Sequence, residues 1–310
     1  MLFNNNSEMF KKINKIVPNV VSIRPIGNHE LKRHLVYFVK TSNRELVIKF
    51  YYVNNRWNRD VAALRLLQGT SVQLPKLIEF GKFEDVEWLL YEYKEGILLN
   101  QIADKISKNE LKNIYEEAGE QLALIHSFRE FNYYGGLDEE LNFIIKFKTF
   151  KEYFNTEIKR VFNNLDEFVH EEKNLIDCAK KALLNQLNIL DSNIKKPRLC
   201  HNDFSSRNII VNKYDGEYHF NCIIDFEQSV VSDVDRELLF VYKRLCKNNK
   251  LLIEAFKKGY ERHMKIDEDS IMLKDRLYEL YRGLSICGWS QKVDLEHYND
   301  GINILKKYIR

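Results

Sequence analysis

Long apolar runs are missing from this chain, and their absence removes the first class of function. No stretch approaches the ~18 consecutive apolar residues a membrane helix needs. The opening "MLFNNNSEMFKKINKIVPNV" has neither an apolar signal core nor a cleavage site. A cytoplasmic protein with no membrane partner is therefore expected. Charge of one sign is scarce as well: 48 Lys and Arg against 45 Asp and Glu leave a net +3 over 310 residues. The two signs are mixed along the chain, so a nucleic acid finds no basic stripe to follow and is not an expected partner. Cysteine is sparse and unpatterned. Cys178, Cys200, Cys222, Cys246 and Cys287 contain no CxxC pair and are odd in number. They read as reduced, packed thiols rather than a disulfide framework or a zinc site. Several phosphate-binding schemes are also absent. There is no GxxxxGK[ST], no GxGxxG follows a strand, and "GLSICGW" (283–289) has two glycines but no lysine.

What is present describes an ordered protein. The chain is 45% hydrophobic and 30% charged, with 17 Tyr and 19 Phe, and is long enough for one large domain or two lobes. It contains no repeats and no low-complexity linker. Up to about residue 93 the pattern favours strands: "VVSIRPIG" (20–27), "HLVYFVKT" (34–41), "RELVIKFYY" (44–52) and two more within 76–93, turning near Glu84-Asp85. One helix, 56–69, interrupts them and stops at Gly69. From residue 107 the spacing is helical, opened by a Ser107/Glu110 capping box. Two further helical patterns occupy 147–191. A hairpin, "NIIVN" to "FNCIID", turns at Asp215-Gly216, and helices return from Asp235. The fold class read from this order is α+β. The boundaries are a β-rich lobe over 1–93, a hinge near 91–96, and a mainly helical lobe over 97–310.

The chemistry gathers at the hairpin. "HNDFSSRN" (201–208) precedes its first strand and Asp225 closes its second. Folding the two strands antiparallel brings Asp225 back beside Asn208. Carboxylate and amide oxygens are hard ligands that suit Mg²⁺ and leave room for phosphate oxygens. Asp203 remains to orient, or take a proton from, an attacking hydroxyl. Singly, each residue has a plainer role as a turn cap or strand end. Together, H-x-D-x4-N, strand, glycine turn, and apolar strand ending in Asp form a restrictive pattern. Lys49 lies inside the apolar strand "LVIKFY", where it is either an outward-facing lysine or a phosphate-binding one. Asp60, near the start of the following helix, is its candidate partner. Strand lysine, helix acid and hairpin acids follow one another in the order of the protein-kinase fold.

These motifs resemble the aminoglycoside phosphotransferase and choline kinase superfamily. The carriers are "HNDFSSRN" with "CIIDFE" (222–227), "GEQLALIHSF" (119–128), "DRELLFVYKRL" (235–245) and "RDVAALRLL…LPKLIEFG" (59–81). The resemblance implies a bilobal protein-kinase-like fold, closest to the aminoglycoside phosphotransferase type. It implies transfer of the γ-phosphoryl of ATP or GTP, with Mg²⁺, to a hydroxyl. In it Asp203 is the catalytic aspartate and Asn208 and Asp225 are metal ligands. Lys49 and Asp60 form the ion pair at the phosphates. Gly27 lies in the phosphate-covering loop, and Glu92 and Tyr93 meet the adenine through their backbone. His201 braces the loop, and Arg207 is a candidate cation for the transferring group. Three departures stand out: a covering loop with only Gly27, Asp60 where the family has Glu, and Asn202 where many antibiotic kinases have Gly. For the acceptor, a small, cationic hydroxyl compound is expected. An aminoglycoside or related antibiotic is the leading class, with a choline, ethanolamine or other metabolite kinase as the alternative; an aminoglycoside calls for an acidic cleft, with Glu227, Asp233, Asp294, Glu296 and Asp300 as candidates. Choline or ethanolamine calls for an aromatic cage, with Tyr281, Trp289 and Tyr298 as candidates. A protein kinase is disfavoured, since there is no DFG or APE and only ten positions separate Asp225 from Asp235. A non-catalytic nucleotide-binding module is the remaining alternative.

Overall fold

The computed structural model describes residues 6–27, 29, 34–53, 56–192 and 195–309. Its first layer is an antiparallel sheet of β1 (Val20–Ile26), β2 (His34–Thr41), β3 (Glu45–Tyr51), β4 (Leu77–Phe83) and β5 (Val86–Glu92), in the order β1-β2-β3-β5-β4. Side chains of β3 alternate between two covered faces. Leu46, Ile48 and Phe50 join Leu35, Val39 and Leu90 on one face. That face is roofed by α1 (Asn6–Ile16), which contributes Met9 and Ile13, followed by Val17, at four-residue spacing. Full burial of each such side chain is worth roughly 1.5–3 kcal/mol. This helix has an amphipathic spacing in the sequence that the strand-dominated reading passed over. The other face of β3 carries Lys49 and Tyr51 towards α2 (Trp57–Leu67), which is buried along most of its length.

A short strand β6 (Ile97–Leu98) and the turn α3 (Leu99–Ile102) lead to α4 (Lys108–Ser127). The expected capping box forms at its start, with Ser107 and Glu110 bonding each other's backbone N–H. The span read as two helical patterns resolves into α5 (Phe150–Asp166), α6 (Lys173–Asn185) and the single turn α7 (Ile189–Ser192).

Two small sheets then shape the site. β7 (Arg198–Cys200) pairs with β10 (Val230–Ser232), and β8 (Ile209–Tyr214) pairs with β9 (Glu217–Ile223) and with β6. Asp215 and Gly216, at φ 48° and 89°, make the tight turn whose register sets Ile209 opposite Ile223. The chain closes with α8 (Val234–Phe240), a π-helical continuation (Val241–Leu245), α9 (Lys250–Tyr260), α10 (Glu268–Ser290) and α11 (Leu295–Tyr308). No described helix is long and apolar enough to cross a membrane.

Candidate active site

The register of the β8–β9 hairpin places the polar groups. Beyond the Ile209–Ile223 pair, the Ile224 N–H donates to the Asn208 carbonyl at 3.0 Å, so Asn208 and Asp225 lie side by side where the ladder ends. The Asn208 amide donates to the Asp203 carbonyl at 2.9 Å and to Asp203 Oδ2 at 3.2 Å. Both donations come from Nδ2, which leaves Oδ1 as the oxygen for a cation. Asn202 and Asp225 have φ of 63° and 67°. Left-handed backbone of this kind is costly for most residues and tolerated by Gly, Asn and Asp. The Asn at 202 therefore meets the same steric demand as the Gly found there in many antibiotic kinases.

His201 is fully buried and holds the loop from both ring nitrogens. Nε2 reaches the Ile224 carbonyl at 3.1 Å, and Nδ1 accepts the Asp203 N–H at 3.3 Å. This network assigns the proton to Nε2. A bracing role, not that of a base, fits the arrangement.

Lys49 is not the outward-facing lysine its strand allowed. It is 3% exposed, with Nζ at 3.1 Å from Asp60, 2.7 Å from Asp225 and 2.9 Å from Glu227. The shorter Asp60 reaches the lysine, and it also accepts from Tyr51 Oη at 2.6 Å and from the Phe226 N–H at 3.2 Å. Helix α2, strand β3 and the loop after β9 are thus tied through one carboxylate. Burial works against the Lys49 charge, but Asp225, Asp60 and Glu227 together hold its pKa well above the ordinary value. Burial likewise opposes ionisation of Asp225, and the Lys49 ammonium outweighs it, so the Asp225 carboxyl lies below its usual range. The Asp225 side chain is 30% exposed against 4% for Lys49, so the carboxylate faces the cleft and the lysine lies beneath it.

Whether this set suits a metal and phosphates can be tested on its donors. Asp203, Asn208 and Asp225 offer hard oxygens on one side of a cleft, the chemistry Mg²⁺ takes. Glu227 Oε2, buried beside them, meets the Lys49 ammonium at 2.9 Å and His34 Nδ1 at 3.4 Å. The residues fit a divalent cation and the phosphates it carries.

The remaining expected residues are less gathered. Gly27 ends β1 at φ 76°, as a turn glycine, and most of the covering loop beyond it (28 and 30–33) lies outside the described residues. Glu92 and Tyr93 sit where β5 leaves the sheet. Their N–H groups already donate to Lys76 and Glu45 carbonyls, at 3.0 Å each, so contact with a base is left to carbonyls. Arg207 is exposed.

The acidic cleft does not assemble. Glu227 is spent on Lys49, and Asp233 is buried against Lys274 at 2.6 Å and Tyr278 at 2.8 Å. Asp294 caps α11, and Glu296 and Asp300 are exposed on that helix. The aromatic cage does not assemble either. Tyr281 carries the Arg236 guanidinium on its face at 4.9 Å, Trp289 packs on His297, and Tyr298 stacks on His170.

Two residues at the site, Glu237 and Arg244, were not singled out from the sequence, and Glu227 was singled out for another role. Glu237 accepts the His201 N–H at 3.0 Å and the Asn202 N–H, while His126 holds the same carboxylate at 2.8 Å. Glu227 is the third acid on Lys49. Arg244, on the π-helical turn, stands 3.3 Å from Asp203 Oδ1. The only signal for Glu237 was its place in the "DREL" segment. Arg244 left none, since a π-turn shifts the face a helical count predicts.

A five-stranded sheet over a helical lobe, with a buried strand lysine facing a loop of Asp, Asn and Asp, defines a kinase-like phosphotransferase fold. The sequence profile of the phosphotransferase enzyme family matches residues 23–273, and the chain belongs to that family. Among solved structures, aminoglycoside phosphotransferase APH(4)-Ia superposes with a TM-score of 0.75 at 13% identity, covering 99% of each chain. The gentamicin complex of APH(2″)-IIa gives 0.67 at 19% identity, covering 98% of this chain and 96% of that one. Spectinomycin phosphotransferase APH(9)-Ia, in complex with ADP and spectinomycin, gives 0.60 at 14%, covering 97% and 93%. At these identities the likeness is one of fold. Among curated proteins none matches significantly.

Proposed function

We propose that this protein transfers the γ-phosphoryl group of Mg-ATP to a hydroxyl of a small molecule, without a covalent enzyme intermediate. The observation that carries this reading is the junction of Asp203, Asn208 and Asp225 at one end of the hairpin, tied by Lys49 to strand β3. Asp203 accepts the hydroxyl proton as the acceptor oxygen bonds to the γ-phosphorus and the bond to the β-phosphate oxygen breaks. Asn208 Oδ1 and Asp225 would hold Mg²⁺, which when bound neutralises charge on the β- and γ-phosphates. Lys49, fixed by Asp60, stands ready for phosphate oxygens. The protein's share is mostly positioning and charge.

We take 1–93 as the nucleotide lobe, 91–96 as the hinge and 97–310 as the acceptor lobe, in a cytoplasmic protein. Adenine rather than guanine is supported by the ADP, AMP-PNP and ATP bound in the solved neighbours. An aminoglycoside hydroxyl is the acceptor favoured by likeness of fold alone, from the hygromycin B and gentamicin bound in those neighbours. Choline loses the support of Tyr281, Trp289 and Tyr298, each of which packs on another partner.

Asp203→Ala decides the mechanism. Its turnover should fall at least 10²–10⁴-fold, the usual weight of a positioned proton acceptor, while nucleotide still binds. Activity close to wild type in that variant would sink the mechanism.

A further inference from the structure

Resting on the kinase reading, the surroundings of Asp203 speak to the charge of the acceptor. A polycation needs carboxylates to spare, and among the described residues the acids around Arg282 and Lys243 are taken. Glu279 is held bidentately by Arg282, at 2.8 Å on each oxygen, and also lies 3.4 Å from Lys243. Asp275 is held by the same lysine. Farther along, Glu157 meets Arg160 at 3.0 Å and the Tyr281 hydroxyl at 3.3 Å, and its charge is shared with Arg236 and Arg59.

Cations are in excess instead. Arg236 is 6% exposed, yet its Nε and Nη1 have no hydrogen-bond partner. Its guanidinium lies between the rings of Tyr281, Phe154 and Phe240, with centroids 4.9, 5.7 and 5.6 Å away. Arg59 Nε is also buried without a partner. Arg236, Phe240 and Arg244 follow at four-residue intervals along α8 and its π-helical continuation, the last of them reaching Asp203. Consecutive residues of α10 join the two ends. Tyr281 meets Arg236, and Arg282 shares its field with Arg244. Burial, opposed by Asp203, combines with the like charges of Arg207 and Arg282 to push the Arg244 guanidinium below its ordinary value. Guanidinium groups left in this condition are sites for an oxyanion, which they grip in a fork.

We propose that the acceptor is a hydroxylated small molecule bearing a carboxylate or phosphate, and that Arg244 holds this anionic group beside Asp203. An anion taking up Arg244 also frees Asp203 Oδ1 from its present ion pair, leaving that oxygen for the hydroxyl proton. The acceptor so defined differs in charge from an aminoglycoside.

The test uses the full chain, γ-labelled ATP and three acceptor pools. One holds sugar phosphates and hydroxy acids, supplied separately so that phosphate and carboxylate are told apart. The second holds neutral sugars and polyols, and the third amino alcohols and aminoglycosides. Label should pass into the anionic pool, with kcat/KM at least about tenfold above neutral compounds of the same skeleton, and Arg244→Gln should raise KM for the best anionic acceptor about tenfold. Arg244→Lys should recover part of that loss. Transfer favouring the cationic or neutral pool, or none into the anionic pool, overturns the assignment. So does an Arg244→Gln variant that loses kcat alike on every acceptor, as a purely structural residue would. Acceptor-free hydrolysis of ATP separates the two levels. If it occurs and disappears in Asp203→Ala, a failed anionic pool counts against the acceptor alone. If it is absent and no pool is labelled, the kinase reading fails with it.

Discussion

Lys49 shows how much one side chain can carry. Its ammonium lies within 3.1 Å of three buried or half-buried carboxylates, Asp60, Asp225 and Glu227. Removing one member of such a buried set strands the others, at a cost of about 3–5 kcal/mol. Lys49→Ala should accordingly lower the urea midpoint of the apo protein by that equivalent, and an unchanged midpoint would count against the network. Glu237 makes a pH prediction. Burial opposes its ionisation, but the hydrogen bond and charge of His126, with His201 and the Asn202 N–H, bring its pKa below the ordinary 4.5. A carboxyl depressed in the folded state contributes stability that is complete above the unfolded pKa and is lost as pH falls through the folded one. The stability gap between wild type and Glu237→Gln should be constant above about pH 5 and shrink below about 4.5. Urea titrations across that range would measure it. Lys49 and Asp60 were legible in the sequence because a charge inside an apolar pattern is anomalous. Glu237 was not, and Glu227 was read as a cleft acid rather than a partner of Lys49, because their partners lie far away in sequence.

At the scale of elements, α4 and α9 cross so closely that glycine is required on both. A Cβ on Gly259 would overlap the Glu116 carbonyl, and one on Gly119 the Phe256 carbonyl. Overpacking at a contact of this kind costs about 1–3 kcal/mol. Gly259→Ala should show that loss as a lower thermal midpoint. Because α4 also carries His126, which holds Glu237 against the catalytic loop, turnover should fall along with stability. A variant as stable and active as wild type would show that the crossing can relax. The long elements and the hairpin were readable from period and turn residues, from the capping box of α4 to the Asp215-Gly216 turn. The pair β7 and β10, three residues each, was not, because strands this short lack a period and exist only through their mutual pairing.

For the whole molecule, the sheet and the helical part meet around the candidate nucleotide site. Lys49 reaches Asp225 and Glu227, Asp60 reaches the Phe226 N–H, and Ser229 Oγ donates to the Arg59 carbonyl at 2.9 Å. A ligand that fills this junction stabilises both sides at once. Mg-AMP-PNP at a hundred times its Kd should raise the unfolding free energy by about 2.7 kcal/mol. Chelating the metal with EDTA should remove most of that gain, read by thermal melting. An equal gain without Mg²⁺ would count against Asn208 and Asp225 as metal ligands.

The sequence by itself determined the α+β class, the kinase-like order of elements and the identity of Asp203, Asn208, Asp225, Lys49 and Asp60 as a candidate set. These follow from local period and from motifs whose spacing is set by a single hairpin. Tertiary structure alone decided which charges meet. It spent Glu227 on Lys49 and Asp233 on Lys274, took Tyr281 out of an aromatic cage by laying Arg236 across it, and brought Arg244 to Asp203 through a π-turn. A charge acts over a few ångströms regardless of sequence separation, so the character of the acceptor wall is a property of the folded chain.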